Sequence, residues 1–431
     1  MWKKLLITGC VTFSLLSGGT LSAQPSCEIK EEVTSEQLDR TQKELVAMMK
    51  ELKNDSYFQT ELDKAAVQSS LSKRMAAYKD LTVRLLSVLE IQAELEWMKP
   101  EAIQEALGIM KKSSGFDAVL ADKRFGELKS LLAGGFDGIY TGDAQAIDKA
   151  NKTLTLKRKL MLMSPDVNVD KMLTVKFDLG ERANFVGAGS LGIQPNNWSN
   201  LSSASRKNFK AQLVELSGLQ SGELSEKVLY KPAVDGSSVT DLVLNWDGKR
   251  LMFTALDTTR RWQVHELDIN NGEAKQVTNI PEPDLEFFDG TYLPDGRMLA
   301  ISNIGYQGVP CVNGSDAVGN MVLYDPSNGY LRRLTFDQDA NWHPVVMANG
   351  KVMYVRWEYT DLTHYFSRIV MHMNPDGTEQ KSLYGSGSMF PNSIFDVQPL
   401  PKHTNRFVGV ISGHHGVARS GRLMIFDPAK S

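Results

Sequence analysis

Val264-His265-Glu266-Leu267-Asp268 runs on to Gly272, Met321-Val322-Leu323-Tyr324-Asp325 to Gly329, and Val370-Met371-His372-Met373-Asn374 to Gly377. Each stretch is an apolar-rich strand, a polar turn and a glycine. Leu213-Val214-Glu215-Leu216, leading to Gly222, has the same form. The four glycines lie 50, 57 and 48 residues apart, the spacing expected when one four-stranded sheet is laid down per repeat. Gly421-Arg422-Leu423-Met424-Ile425-Phe426-Asp427-Pro428 then begins one more hairpin of this kind. A single such sheet is apolar on both faces and needs a neighbour on either side, so the stretch reads as a β-propeller of four-stranded antiparallel blades. It accounts for about four blades and a fragment, an incomplete ring that further chain, another chain or the strand near Met172 would have to close.

Within each repeat a second, inner hairpin is expected at Asp247-Gly248, Asp295-Gly296 and Asn349-Gly350. Such pairs favour a type I′ turn, whose twist matches the flanking strands. The outer hairpin ends in Val277-Thr278 or Leu334-Thr335. Upstream the apolar period changes. From Thr34 to about Met163 it is helical: Leu71, Met75, Tyr78, Thr82, Leu85 and Leu89 share one face of a long helix. Thr34-Ser35-Glu36-Gln37 is a capping-box start, Pro100 suits a first helical position, and Gly134-Gly135 and Gly142 mark loops before a last helix that stops short of Pro165. A bundle of about four or five helices follows from this pattern, and its Met and Leu stripe is core packing. The fold class is therefore α+β and multidomain, with a helical domain over residues 24–165 and the propeller over residues 166–431.

Residues 1–23 carry Lys3-Lys4, an apolar run to about Leu21 and the small residues Leu21-Ser22-Ala23, the order of a secretory signal peptide cleaved near Ala23-Gln24. An uncleaved anchor is the other reading, but small and polar residues interrupt a run that barely reaches the length of a spanning helix. Ile7-Thr8-Gly9-Cys10 resembles a lipobox, with its apolar core after Cys10 instead of before it. The protein is thus expected in the periplasm or outside the cell, with no stable transmembrane span once the signal is removed. There Cys27 and Cys311 would remain; a bridge between them is open, but no disulfide framework is encoded, and Cys311 is expected free or buried. The formal charge of −3 and the absence of a basic cluster interleaved with aromatics exclude nucleic acid as a partner.

All seven histidines lie between His265 and His415. Propeller loops gather at the two ends of the central channel, so polar groups from separate repeats can converge there. His343, Glu358, Asp361, His364, His414 and Asp337 would offer the nitrogen and oxygen donors a divalent metal takes. The competing reading makes them turn and strand-end residues that satisfy local backbone groups. Asp337-x-Asp339-x-Asn341 copies the start of a calcium loop, but Trp342 and Ala348 stand where the turn glycine and the bidentate Glu belong, so it is not an EF-hand. Gly187-Ala188-Gly189-Ser190-Leu191-Gly192 fits a dinucleotide fingerprint in letters, yet Pro195-Asn196-Asn197 denies it the helix it needs. No Gly-x-Ser-x-Gly elbow and no Cys-x-x-Cys-His motif for c-type haem is present, and no cofactor is identified.

Phe288-Asp289-Gly290-Thr291-Tyr292-Leu293-Pro294-Asp295-Gly296-Arg297, Gln307-Gly308-Val309-Pro310-Cys311, Leu334-Thr335-Phe336-Asp337-Gln338-Asp339, Arg356-Trp357-Glu358-Tyr359-Thr360-Asp361, Pro391-Asn392-Ser393-Ile394-Phe395 and Ser412-Gly413-His414-His415-Gly416 occur in this order. Together they resemble the middle propeller domain of the hydrazine synthase alpha subunit and its relatives, over roughly Asp284 to Ser431. The repeats also resemble the TolB type of WD40-like propeller. The resemblance implies an exported protein with a ring of roughly six or seven blades, usually followed by more chain. In hydrazine synthase the redox work belongs to haems bound through Cys-x-x-Cys-His, largely in a domain after the propeller. This sequence has neither, so hydrazine chemistry is not implied.

Two functions are consistent with these features. The first is a non-catalytic module that binds an envelope protein or a small polar ligand at the channel mouth. The second is an enzyme, a hydrolase or lyase acting on a sugar or other polar substrate, whose water would be activated by a metal on the His and carboxylate loops.

Overall fold

The structure is a computed structural model that describes residues 33–430 except 168, 179–199, 205, 208, 221–223, 311–312, 359–367, 387–390, 392, 402 and 414–420. The signal segment, the Gly187–Gly192 fingerprint, Cys27 and Cys311 lie outside the described residues. Two compact units divide the chain, Met1–Met172 with Leu216–Glu226 and Leu173–Glu215 with Lys227–Ser431.

The helical region holds six helices, α1 (Ser35–Met49), α2 (Ser56–Ala66), α3 (Leu71–Glu96), α4 (Pro100–Met110), α5 (Ala118–Ala133) and α6 (Ala144–Met161). The apolar period pointed to four or five. The discrepancy comes from α2 and α4, 11 residues each and too short to display a full period of their own. Thr34 forms both halves of its capping box with Gln37, and Pro100 opens α4. The apolar face of α3 packs Tyr78, Leu81 and Leu85 against Leu38, Leu45 and Met48 of α1 and Phe58 and Leu62 of α2. Ile103, Leu107, Phe125, Leu128 and Leu160 make a second cluster among α4, α5 and α6. Burial of each such side chain stabilises the bundle by about 1.5–3 kcal/mol.

Five antiparallel meanders follow in a propeller-like ring. The first has three strands, β1 (Lys171–Asp178), β2 (Lys210–Ser217) and β3 (Ser225–Tyr230). The second has β4 (Val239–Leu244), β5 (Arg250–Leu256), β6 (Trp262–Asp268) and β7 (Ala274–Gln276). The third has β8 (Phe287–Tyr292), β9 (Met298–Ser302), β10 (Asn320–Asp325) and β11 (Tyr330–Arg333). The fourth has β12 (Asn341–Val346), β13 (Val352–Trp357), β14 (Arg368–Met373) and β15 (Lys381–Tyr384). The fifth has β16 (Ile394–Pro399), β17 (Phe407–Ile411) and β18 (Arg422–Phe426). First strands meet first strands across blades, β4 with β8, β8 with β12 and β12 with β16, which places them on the inner side of the ring. Between blades the core is aromatic and aliphatic: Trp342 stacks near Trp357 and meets Phe395 of the next sheet edge-on, with ring centroids 6.3 and 5.7 Å apart.

The inner hairpins fall where their glycines lie, but their turns are not type I′. Gly248, Gly296 and Gly350 have positive φ, while Asp247, Asp295 and Asn349 do not. Each glycine N–H instead donates to the carbonyl three residues back, Asn245, Leu293 or Met347. This is a type I turn closed by a left-handed glycine, the longer hairpin solution. The threonines ending the outer hairpins act as latches. Thr278 Oγ1 accepts from the Val264 N–H and donates to Gln263 Oε1, and Thr335 Oγ1 accepts from the Met321 N–H.

Candidate functional site

A meander that starts on the inner strand returns to the same end of the ring at every second connection. The links between second and third strands and those from one blade to the next therefore share one rim. Near this rim, the third residue of each first strand in sheets two to five is polar and has a left-handed backbone: Asp241 (φ 55°), Asp289 (φ 55°), His343 (φ 54°) and Asp396 (φ 51°). Each sits in a β-bulge, where pairing with the second strand slips between Thr240 and Val243, Phe288 and Thr291, Trp342 and Val345, and Phe395 and Gln398. Left-handed backbone costs a non-glycine residue about 1 kcal/mol, least for Asp, Asn and His, and a bulge re-aims the side chain it carries. Beside Asp289, a Cβ on Gly290 would lie 2.7 Å from Met252 Sδ, so the neighbouring blade requires glycine there.

The four residues form a chain across the blades. Asp241 Oδ2 accepts from the Asp289 N–H at 3.0 Å, and Asp289 Oδ2 accepts from the His343 N–H. His343 Nδ1 lies 3.3 Å from Asp289 Oδ1, and Nε2 lies 3.0 Å from Asp396 Oδ1. Burial and the Asp289 charge push the Asp241 carboxyl up to about 6. Burial opposes the His343 imidazolium, yet the carboxylates of Asp289 and Asp396 outweigh it and raise this pKa well above the ordinary imidazole value. The imidazolium is thus an electrostatic tie among three blades, with both ring nitrogens facing carboxylates.

A second polar group lies at the same rim of sheet four. Arg356 Nη2 is 3.0 Å from Asp337 Oδ1, and its Nε is 3.0 Å from Glu358 Oε2. Asp337 Oδ2 also accepts from Asn341 Nδ2. The Asp339 carboxyl is buried, without a hydrogen-bond partner among the described residues, and burial pushes it up to about 6 although Arg368 works in the other direction. At the rim of sheets two and three, Arg206 forks onto the buried Glu286 at 2.7 and 3.0 Å and donates to the Arg260 carbonyl. Burial raises the Glu286 pKa against the pull of Arg206.

Of the six residues read as metal donors, Asp361, His364 and His414 lie outside the described residues. Asp337 and Glu358 come together, but on Arg356, and His343 is held by Asp289 and Asp396. Among the described residues no three His, Cys, Asp or Glu side chains are arranged to hold a metal ion. Sequence reasoning missed Asp241, Asp289 and Asp396. The available signal was a lone Asp or His, third in each first strand, set after Thr240, Phe288, Trp342 or Phe395.

No family model matches the chain, and no curated protein matches it. Among solved structures it is similar to hydrazine synthase from Kuenenia stuttgartiensis, at 14% identity and a TM-score of 0.45 over 61% of this chain and 38% of that one. TolB from Acinetobacter baumannii is similar at 18% identity and a TM-score of 0.33, over half of each chain. Oligogalacturonate lyase in complex with manganese is similar at 13% identity and a TM-score of 0.32, over 48% of this chain and 56% of that one. These likenesses concern the fold and carry nothing about activity.

Proposed function

We propose that this chain is an exported, non-catalytic propeller that binds a small polar ligand or an envelope protein at the rim carrying the axial residues. The observation that supports this reading is the engagement of His343. A general base or metal ligand needs one ring nitrogen available, and here both face carboxylates that belong to neighbouring blades. Three carboxylates and one imidazolium leave the axial mouth acidic, which favours a ligand carrying an ammonium or other donor-rich group. The helices of the described residues contain none long and apolar enough to cross a membrane; export rests on the N-terminal sequence alone. The test pairs elemental analysis of the purified protein with a thermal-shift screen of small polyamines, amino sugars and amino acids. No stoichiometric metal is expected, and a ligand that raises the Tm of the wild type should lose its effect on Asp396→Ala. A stoichiometric metal whose removal abolishes turnover of a sugar or ester would overturn the reading.

A further inference from the structure

We infer that the rim of sheet three carries a carboxylate-binding site on Arg333, separate from the axial mouth and independent of what binds there. In sheet two, Gln276 ends the fourth strand and donates from Nε2 to the Thr278 carbonyl at 2.7 Å. Arg333 holds the same place in sheet three, and its Nε donates to the Thr335 carbonyl at 2.9 Å. The latch therefore needs one side-chain N–H, which a glutamine supplies. Arginine adds a positive charge and two terminal nitrogens that the latch does not use.

That charge is not met within the described protein. Arg206, Arg250, Arg261, Arg297, Arg356 and Arg406 each lie 3.0 Å or less from a carboxylate oxygen. Arg333 has no carboxylate partner among the described residues, its side-chain bonds going to the Thr335 carbonyl and to Gln307. Asp337, four residues on, is already held by Arg356 and Asn341. The guanidinium is nevertheless fixed in place. Its central carbon lies 4.6 Å from the centre of the Phe336 ring, and Nη2 reaches Gln307 Oε1 at 3.5 Å. Gly305 closes one side, where a Cβ would stand 3.2 Å from Nη2 and 2.7 Å from Oδ1 of the buried Asn320. Nη1 is left without a partner among the described residues. Phe336 is 73% exposed, so an apolar ring that packing does not account for stands beside this open edge.

An arginine fork takes a carboxylate in two parallel hydrogen bonds, and one already ordered by a ring, a carbonyl and a loop loses little freedom in doing so. The exposed ring suits an acid attached to an apolar or aromatic body. A small aromatic acid has this chemistry, and so does an acidic side chain next to an apolar one in a peptide.

Ligand-observed NMR titration of the full chain tests this, with benzoate, benzylamine and the peptide acetyl-Gly-Phe-Glu-Gly-amide as probes. Benzoate should bind in about the millimolar range, and benzylamine should not compete with it. Arg333→Gln rebuilds the latch of sheet two, so it should keep the fold while weakening benzoate at least about tenfold. Phe336→Ala should weaken benzoate about threefold. Arg332→Gln, one residue away on the opposite face of its strand, should change binding less than about twofold. A peptide bound more tightly than benzoate would place the carboxylate on a partner protein, and the reverse order would place it on a small acid; either supports the site. Failure of both acids to bind, competition by benzylamine, or equal losses in Arg332→Gln and Arg333→Gln would each overturn the inference. Should far-UV circular dichroism show that Arg333→Gln misfolds, Phe336→Ala decides, and an unchanged affinity for benzoate there is equally fatal.

Discussion

The helical unit buries Thr41, Thr82, Thr153 and Ser164 as its only polar side chains among the described residues, whereas the propeller buries Asp257, Glu286, Asp339, His265 and Arg368. The three helical threonines each donate to the carbonyl four residues back, Gln37, Tyr78 and Lys149, so they need nothing outside their own helix. Several propeller groups instead reach across elements, Glu286 to Arg206, Asp289 to His343 and Thr278 to Gln263, while Asp257 and His265 bond within four residues of themselves. A helix satisfies its backbone within itself, and apolar faces suffice to assemble a bundle. Small sheets with the same apolar faces could pack in several registers, and the buried polar links specify which one.

If this contrast is right, apolar truncations should cost the two regions alike and polar ones should not. Leu85→Ala in α3 and Phe395→Ala in β16, both fully buried, should each destabilise by about 3–5 kcal/mol. Denaturant unfolding would measure this, with far-UV circular dichroism reporting helices and near-UV signals from Trp262, Trp342 and Trp357 reporting blades. Arg206→Leu leaves the Glu286 carboxylate buried without its guanidinium and should cost about 3 kcal/mol in the blade signal. A cost below about 1 kcal/mol would mean that the polar links are incidental. Thr278→Val strands the Val264 N–H and Gln263 and should cost about 1–3 kcal/mol, against less than about 1 kcal/mol for Thr82→Val. Equal costs for the two threonines would erase the distinction.

The smallest and most diagnostic effect is in pH dependence. The folded His343 pKa lies above its unfolded value of 6.5, so its contribution is fully present below 6.5 and fades as pH rises through the raised value. The Tm difference between wild type and His343→Asn should therefore be largest on the acid side of neutrality and close toward alkaline pH. Asp241 shifts in the same direction but in a lower window, because burial favours its neutral form: its folded carboxyl holds a proton up to about 6 against 3.8 unfolded, so stability falls as pH rises between those values. Asp241→Asn should flatten that decline, and a profile unchanged by both substitutions would remove the axial tie.

Much of the fold was legible because period and glycine spacing are local. Gly272, Gly329 and Gly377 marked hairpins that the structure contains, and Thr34 and Pro100 marked helix starts. Turn type was not legible from the dipeptide Asp-Gly alone, because the loop length set by the strand register, which the dipeptide does not state, decides whether one or two left-handed positions are needed. Nor was the axial chain. Asp289 and Asp396 lie 107 residues apart, and their convergence on His343 depends on bulges that shift pairing by one residue, which a period-two reading passes over. Residues rich in chemistry, such as Asp337 and Glu358, drew attention for their type, and their neighbour Arg356 accounts for them.

The left-handed bulge also acts as a filter on what can line the axis. With φ near 55° in four successive blades, β-branched and bulky apolar residues are disfavoured there before any ligand or partner is considered, while short polar ones and glycine are admitted. Variation at these positions should accordingly exchange Asp, Asn, His and Gly among themselves, altering the charge at the centre of the ring while the backbone that carries it stays the same.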